Sequence, residues 1–276
     1  MQRKPPIARR EFLKQATTAT GAAWLAPHVI PSSALGLDEN TAPSNRINVA
    51  AIGVGMMGTN DLRSFMTTFG ELQFTAVCDV DRQRVNVNGT TYGREPARQI
   101  VEDHYAKKAS GTYQGCREYV DYRELLDKEP DLDAVLVDTP DHAHAVVSIA
   151  AMKKGKHVFC QKPLTHSVFE ARRMAETARE TKVATQCGTG NYTSEGTYRL
   201  REWIADGAIG AVREVHNWSN RPVWPQGIDR PQETPPVPPG LDWDLWLGPA
   251  PYRPYHPIYL PFVWRGRIWG QRALCH

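Results

Sequence analysis

No stretch of the 276-residue chain approaches the roughly 20 consecutive apolar residues of a membrane-spanning helix, so membrane spanning is not supported. Cysteine is sparse: Cys78, Cys116, Cys160, Cys187 and Cys275 are scattered, odd in number, and three of them fall in predicted strands. They are read as free buried thiols rather than a disulfide framework. Excess charge is also lacking once its location is considered. The formal charge is +3, but Arg3, Lys4, Arg9, Arg10 and Lys14 against Glu11 place +4 in the N-terminal segment. The remainder carries about −1, which gives nucleic-acid binding no support. Length and apolar content suffice for one large or two ordinary domains with a real core.

The rest of the chain is organised around Arg46 to Gly58, Arg-Ile-Asn-Val-Ala-Ala-Ile-Gly-Val-Gly-Met-Met-Gly. Ile47 to Ile52 is an apolar run of strand length, as expected for a central parallel strand covered on both faces. Gly53, Gly55 and Gly58 then fit Gly-x-Gly-x-x-Gly, with Met56 and Met57 opening a helix. Gly53 permits the turn, Gly55 lets backbone approach a pyrophosphate, and Gly58 allows helix to pack on strand. The anion would sit on the helix N-terminus, where free N–H groups and the dipole favour it. An ordinary βαβ turn can carry glycines too, so the second strand matters. Leu72 to Cys78 is a second apolar run and ends in Asp79, twenty-one residues beyond Gly58. A carboxylate there accepts from ribose hydroxyls and repels a 2′-phosphate, which argues for NAD over NADP.

The N-terminus runs Ala8-Arg9-Arg10-Glu11-Phe12-Leu13-Lys14, then a mildly apolar block from Ala16 to Ile30, then Ser32-Ser33-Ala34. Basic block, apolar block and small-residue site stand in the order of a twin-arginine export signal, so residues 1–38 are expected to be a signal and linker and the protein extracytoplasmic or periplasmic. Beyond Asp79, Asp81 to Gly115 reads as a crossover with an insertion and a helical patch around Arg98 to Lys108. Tyr119 to Lys128 reads as a short helix and Leu132 to Val137 as a third strand, ending in Thr139-Pro140-Asp141-His142-Ala143-His144. Loops at the carboxyl ends of parallel strands line a cofactor crevice, so Thr139, Pro140, Asp141 and His144 are placed to meet nicotinamide and ribose. Zinc is the competing reading, but no Cys or carboxylate cluster joins the two histidines, which would point apart on a helix. No metal site is expected. Asp141 is also read as the cap of a helix running to Lys154.

His157 to Cys160 is a fourth strand ending in Gln161-Lys162-Pro163. A lysine there would aim its ammonium into the crevice, where burial would favour the neutral amine that can act as a general base. Helix Ser167 to Thr181, strand Val183 to Cys187 and helix Glu195 to Asp206 complete an alternating βα pattern: an α/β, doubly wound parallel sheet over residues 44–190. From Ala211 the pattern changes. Val212 to Asn217 alternates as a strand expected to open a second domain over residues 191–276. Arg221 to Pro261 is proline-rich and carries Trp224, Trp243, Trp246, Tyr252, Tyr255 and Tyr259. Rings that simply pack are favoured there over rings that stack on sugar.

The Gly53, Gly55, Gly58 turn with Asp79, the segment Thr139-Pro140-Asp141-x-x-His144, and Lys162-Pro163 together resemble the Gfo/Idh/MocA family of NAD(P)-dependent sugar and cyclitol oxidoreductases, from Ile47 to about Gly266. The resemblance implies a Rossmann domain followed by an α+β substrate domain. It also implies hydride transfer between NAD and a secondary hydroxyl. Lys162 would orient or deprotonate that hydroxyl, and His144 would contact nicotinamide ribose or substrate. The family's Glu-Lys-Pro reads Gln161-Lys162-Pro163 here, which removes a charge beside Lys162. Relatives continue after Trp264-Arg265-Gly266 into a helix bearing Asp-x-x-x-His, whereas this chain reads Arg267 to His276 and ends. The expectation is therefore a chain truncated by a reading-frame slip and inactive as written, with a homo-oligomer where the second domain is complete. An NAD-dependent glycosidase acting by transient oxidation and elimination, and a non-catalytic NAD- or sugar-binding module, are the alternatives.

Overall fold

The computed structural model describes residues 41–86, 88–109, 113–190, 194–218, 220 and 231–260. Two units are distinguished, Met1–Asn45 and Arg46–His276. Of the first, the described part includes the short 3-10 turn Pro43–Asn45.

The second unit rests on parallel strands whose apolar runs need cover on both sides. In chain order they are β1 Ile47–Ile52, β2 Leu72–Cys78, β5 Arg117–Tyr119, β6 Ala134–Val137, β7 His157–Gln161 and β8 Thr185–Gly188, in the spatial order β5-β2-β1-β6-β7-β8. Helix α1, Met56–Thr68, follows β1, and α2, Arg94–Ala109, precedes β5. Helices α3 Tyr122–Lys128, α4 His144–Lys153 and α5 Val168–Thr181 follow β5, β6 and β7 in turn. Because strand side chains alternate, β1 feeds two cores. Ala50 and Ile52 pack with Val135, Val137, Leu125 and Met152 under α3, α4 and α5; Val49 and Ala51 pack with Leu62, Phe74, Val101 and Leu136 under α1 and α2. The strand order reverses between β1 and β6, and at such a switch point the strand ends leave a crevice for ligand.

Three stretches differ from the sequence reading. Arg117–Tyr119 is an edge strand beside β2, so the helix expected from Tyr119 starts only at Tyr122, where Asp121 caps it by accepting from Arg123 N. The insertion after Asp79 contains a small antiparallel hairpin, β3 Arg84–Val85 and β4 Thr91–Tyr92. Val212 to Asn217 forms no strand: Val212 and Val215 are exposed, and among the described residues no strand lies beside them to take up their backbone groups. Helix α6, Glu195–Ala205, is present as expected but buries none of its residues.

The aromatic stretch packs, as favoured. Helix α7, Trp243–Leu247, carries Trp243 stacked on Trp246 with centroids 4.7 Å apart, and Tyr255 and Tyr259 close the cluster. This cluster docks on the sheet end through Arg82 N to Gly240 O, Asp242 N to Val80 O and an Asp81–Leu241 bridge. Tyr252 is exposed, while Trp224 and Pro261 lie outside the described residues. So do the expected signal, Cys275 and the segment Trp264 to His276. Cys78, Cys116 and Cys160 are buried free thiols and Cys187 is half-buried.

Candidate functional site: a nucleotide crevice at the strand ends

Gly53 leaves β1 at φ 87°, and a Cβ there would fall 2.5 Å from Thr139 N. At Gly58 a Cβ would stand 1.9 Å from Gly53 O and 3.0 Å from Asp138 Cβ. Both positions therefore demand glycine, one for conformation and clearance, the other for clearance alone. Gly55 differs, because a Cβ there would meet nothing within 4 Å. It stands at the N-cap of α1, where glycine brings no side chain to cap the helix's first N–H groups. Met56 and Met57 follow it, half-exposed.

Asp79, at the end of β2, is tied to the turn. One carboxylate oxygen accepts from Val54 N at 2.8 Å and the other from Asp81 N at 2.9 Å. Each keeps a second lone pair, enough for the two hydroxyls of a ribose. Burial raises its pKa to about 6, against the pull of those two backbone N–H donors. Nearby cations are engaged: Arg84 pairs with Asp81 at 2.6 Å, Arg82 with Glu95 at 2.8 Å, and Arg94 donates to Asp79 O at 3.2 Å.

On the other side of the switch point, Asp138 N donates to Ile52 O, and Thr139 Oγ1 is enclosed without a hydrogen-bond partner among the described residues. Pro140 leads into a 3-10 turn, Asp141–Ala143, before α4 begins. Ala143 therefore stands at the N-cap of α4, where Asp141 was expected. His144 is buried, with Nδ1 2.7 Å from Pro163 O and Nε2 2.7 Å from Thr139 O. With both ring nitrogens facing backbone carbonyls, it latches the β6 loop to the β7 loop in place of the direct contact expected of it. Lys162 is exposed rather than buried, and its bond to Pro163 is cis. Gln161 is buried and fixed at both ends of its amide: Nε2 donates to Asp61 Oδ2 at 2.8 Å and Oε1 accepts from Lys162 N at 2.9 Å.

A dinucleotide fits this arrangement. The uncapped helix start and the room over Gly55 suit a pyrophosphate, and Asp79 suits the ribose diol. Gly53, Gly55, Gly58, Asp79, Thr139 and Lys162 all follow the carboxyl ends of β1, β2, β6 and β7, whereas Asp141 and His144 are buried. Asp61 and Asp138 escaped the sequence reading. The signal was present: Asp61 lies one turn beyond Gly58, and Asp138 is a charged residue directly following a buried parallel strand. His142, 3% exposed, donates Nε2–H to Trp246 O at 2.9 Å; burial keeps it neutral, its pKa lowered to about 4. Among the described residues no cluster of three or more His, Cys, Asp or Glu could hold a metal, and no helix is long and apolar enough to cross a membrane.

The family match agrees with a nucleotide-binding reading of this crevice. Residues 47–189 match a family described as an oxidoreductase family with an NAD-binding Rossmann fold, and residues 210–271 match the C-terminal alpha/beta domain of such a family. Inositol 2-dehydrogenase of Salmonella typhimurium is 29% identical over 171 residues, which are 62% of this chain and 45% of that protein. Levoglucosan dehydrogenase of Pseudarthrobacter phenanthrenivorans is 26% identical, over 47% of this chain and 35% of its own length. Alpha-N-acetylgalactosaminidase of Shewanella oneidensis is 31% identical, over 64% of this chain and 38% of its own length. The chain thus spans less than half the length of these relatives. Among solved structures, myo-inositol dehydrogenase from Lactobacillus casei in complex with NAD(H) and myo-inositol is 26% identical, with a TM-score of 0.48, over 60% of this chain and 43% of that one.

Proposed function

Given that the chain belongs to the Gfo/Idh/MocA oxidoreductase family, whose NAD-binding Rossmann fold spans residues 47–189, we propose that it transfers a hydride between NAD and a secondary hydroxyl of a sugar or cyclitol. The observation that carries this reading is that the glycine turn, Asp79 and the exposed Lys162 all follow the carboxyl ends of parallel strands, on either side of the switch point between β1 and β6. Similarity to inositol and levoglucosan dehydrogenases supports the substrate class. Bound NAD would supply the hydride acceptor. The chain's own residues do the rest: α1 holds the pyrophosphate, Asp79 the adenosine ribose, and Lys162 orients the hydroxyl or accepts its proton. His144 keeps the two loops at a fixed separation. Asp79 favours NAD over NADP, because a 2′-phosphate would face its carboxylate.

The test is a panel of cyclitols and sugars with NAD, followed by NADH formation, on this chain and on Lys162→Ala. For any substrate that is turned over, Lys162→Ala should abolish NADH formation with NAD affinity kept; NAD binding without turnover of any substrate would accord with the inactive chain expected from the sequence or with a binding module. Aglycone release without net NADH would favour the glycosidase reading, which the Shewanella relative raises.

Export by the twin-arginine route belongs to the same proposal, supported by Arg9-Arg10 ahead of an apolar block. Cofactor is then loaded where it is made. Replacing both arginines by lysine keeps the charge and should strand the protein in the cytoplasm; unchanged location would sink it.

A further inference from the structure

Three elements meet beneath the nucleotide turn. Asp61 comes from α1, Asp138 from the end of β6 and Gln161 from the end of β7. Both carboxyl oxygens of Asp138 are closed off from solvent, and among the described residues no N–H or hydroxyl donates to them. The group facing them is the Asp61 carboxyl, which is within hydrogen-bonding reach. Two ionised carboxylates offer acceptors only, so a contact of this kind is bonded when one proton lies between them.

Gln161 fixes one side of the pair. Its Oε1 accepts from Lys162 N, so the amide N–H points at Asp61 Oδ2 and requires an acceptor there. Asp61 Oδ2 is thereby taken up as an acceptor, and the enclosed Asp138 is the acid that donates to Asp61. Burial first, and Asp61 second, raise the Asp138 pKa to about 9. The other titratable group beside Asp138 is the Cys160 thiol of β7, itself pushed up to about 12 by burial and so uncharged. The turn after β1 presents only glycine backbone: a Cβ on Gly58 would lie 3.0 Å from Asp138 Cβ, and one on Gly53 2.6 Å from Asp138 C.

We propose that Asp61 and Asp138 share one proton and, with Gln161, form the positioning unit that locks the nucleotide turn to the strand end bearing Lys162. The three residues act on the cofactor site through their neighbours, and that half of the proposal rests on the NAD reading above. The same geometry accounts for glutamine where the family carries glutamate. A glutamate at 161 would set a third carboxyl against Asp61 and offer no N–H to it. Loss of the shared proton would leave two negative charges facing each other, with Asp138 hemmed in by the backbone of the first and third glycines.

The linkage has a definite sign. The folded chain keeps on Asp138 a proton that the unfolded chain releases in the ordinary carboxylate range. The stabilisation is complete below that range and is lost as pH rises through about 9. NAD affinity should follow, falling about tenfold per pH unit above that point.

Infrared difference spectroscopy of the 276-residue chain without cofactor is the first test. A protonated-carboxyl band at neutral pH that disappears on alkaline titration, and is absent from Asp138→Asn, is expected; its absence from the parent chain overturns proton sharing. This measurement stands even if the chain fails to bind NAD, which would defeat the cofactor reading instead. The positioning role is tested by NAD titration across pH 7–10. Asn at 138 keeps a donor toward Asp61 but cannot ionise, so Asp138→Asn should bind near neutrality and lose the alkaline fall. Gln161→Glu should weaken binding at pH 8 about tenfold, and adding Asp61→Asn should restore it. An unchanged alkaline profile in Asp138→Asn, or Gln161→Glu binding as tightly as the parent, would overturn the positioning role.

Discussion

Helices α5 and α6 begin in the same way and end in different surroundings. Ser167 accepts from Glu170 N to cap α5, and Ser194 accepts from Thr197 N to cap α6. Both then run with an apolar stripe. In α5 that stripe buries Met174 and Thr177 against the sheet and α4. In α6 it lies open, with Leu200 53% and Trp203 59% exposed. Capping and periodicity thus make a helix, but only a facing surface makes it part of a core. Distance along the chain is not the cause, because the still later segment around Trp243 and Trp246 is fully packed.

The sharpest way to break this comparison is one substitution made in both regions. Trp246→Ala removes a buried ring stacked on Trp243 and edge-on to His142. It should cost about 3–5 kcal/mol, read as a lower denaturation midpoint in urea. A loss under about 1 kcal/mol would mean that the aromatic cluster is not a core.

Within the crevice the contrast is between two glycines. Gly58→Ala drives a methyl into Gly53 O and should cost about 3 kcal/mol in stability along with NAD binding. Gly55→Ala meets no protein atom, so stability should stay within about 1 kcal/mol while the methyl fills the pyrophosphate's space and weakens NAD. Thermal melts and cofactor titration on the pair separate clash from lost site.

Asp79 gives a smaller, pH-dependent effect. Asp79→Asn should weaken NAD by about 1.5 kcal/mol, roughly tenfold, and narrow the margin over NADP. In the parent chain, NAD affinity and that margin should both fall on acidification below about pH 6, as the carboxylate takes up a proton. Folding responds with the opposite sign. The folded state holds a proton that the unfolded chain has released, so this group's stabilisation is lost as pH rises through about 6. Isothermal titration with both cofactors at pH 5 and 8 checks the first, and denaturation midpoints check the second.

What could be read from the sequence follows the same physics. β1 and β2 were legible to the residue because strands covered on both faces need unbroken apolar runs. Asp79 was legible from its distance to the glycine turn. The edge strand Arg117–Tyr119 was not, because an edge needs no such run and Arg-Glu-Tyr resembles a helix start. Val212 to Asn217 alternates like a strand, yet alternation pairs with nothing unless a neighbouring strand is present. Lys162 was placed correctly in the chain, but its exposure depends on what packs around the β7 loop. His144 and Asp138 depend on loops brought together by the fold, so their partners, Pro163 O and Asp61, could not be seen in any local window.

The smallest effect completes the matched pair. Trp203 lies on α6 and is 59% exposed, and no residue of that helix is buried. Trp203→Ala therefore opens no cavity, and alanine is the better helix former, which offsets what little contact the ring makes. The change should stay within about 0.5 kcal/mol in this chain, against several for the same substitution at Trp246. Urea denaturation of both variants in parallel measures the difference directly. A cost at Trp203 comparable to that at Trp246 would show that the apolar face of α6 is covered in solution, and the contrast between the two regions would then fail.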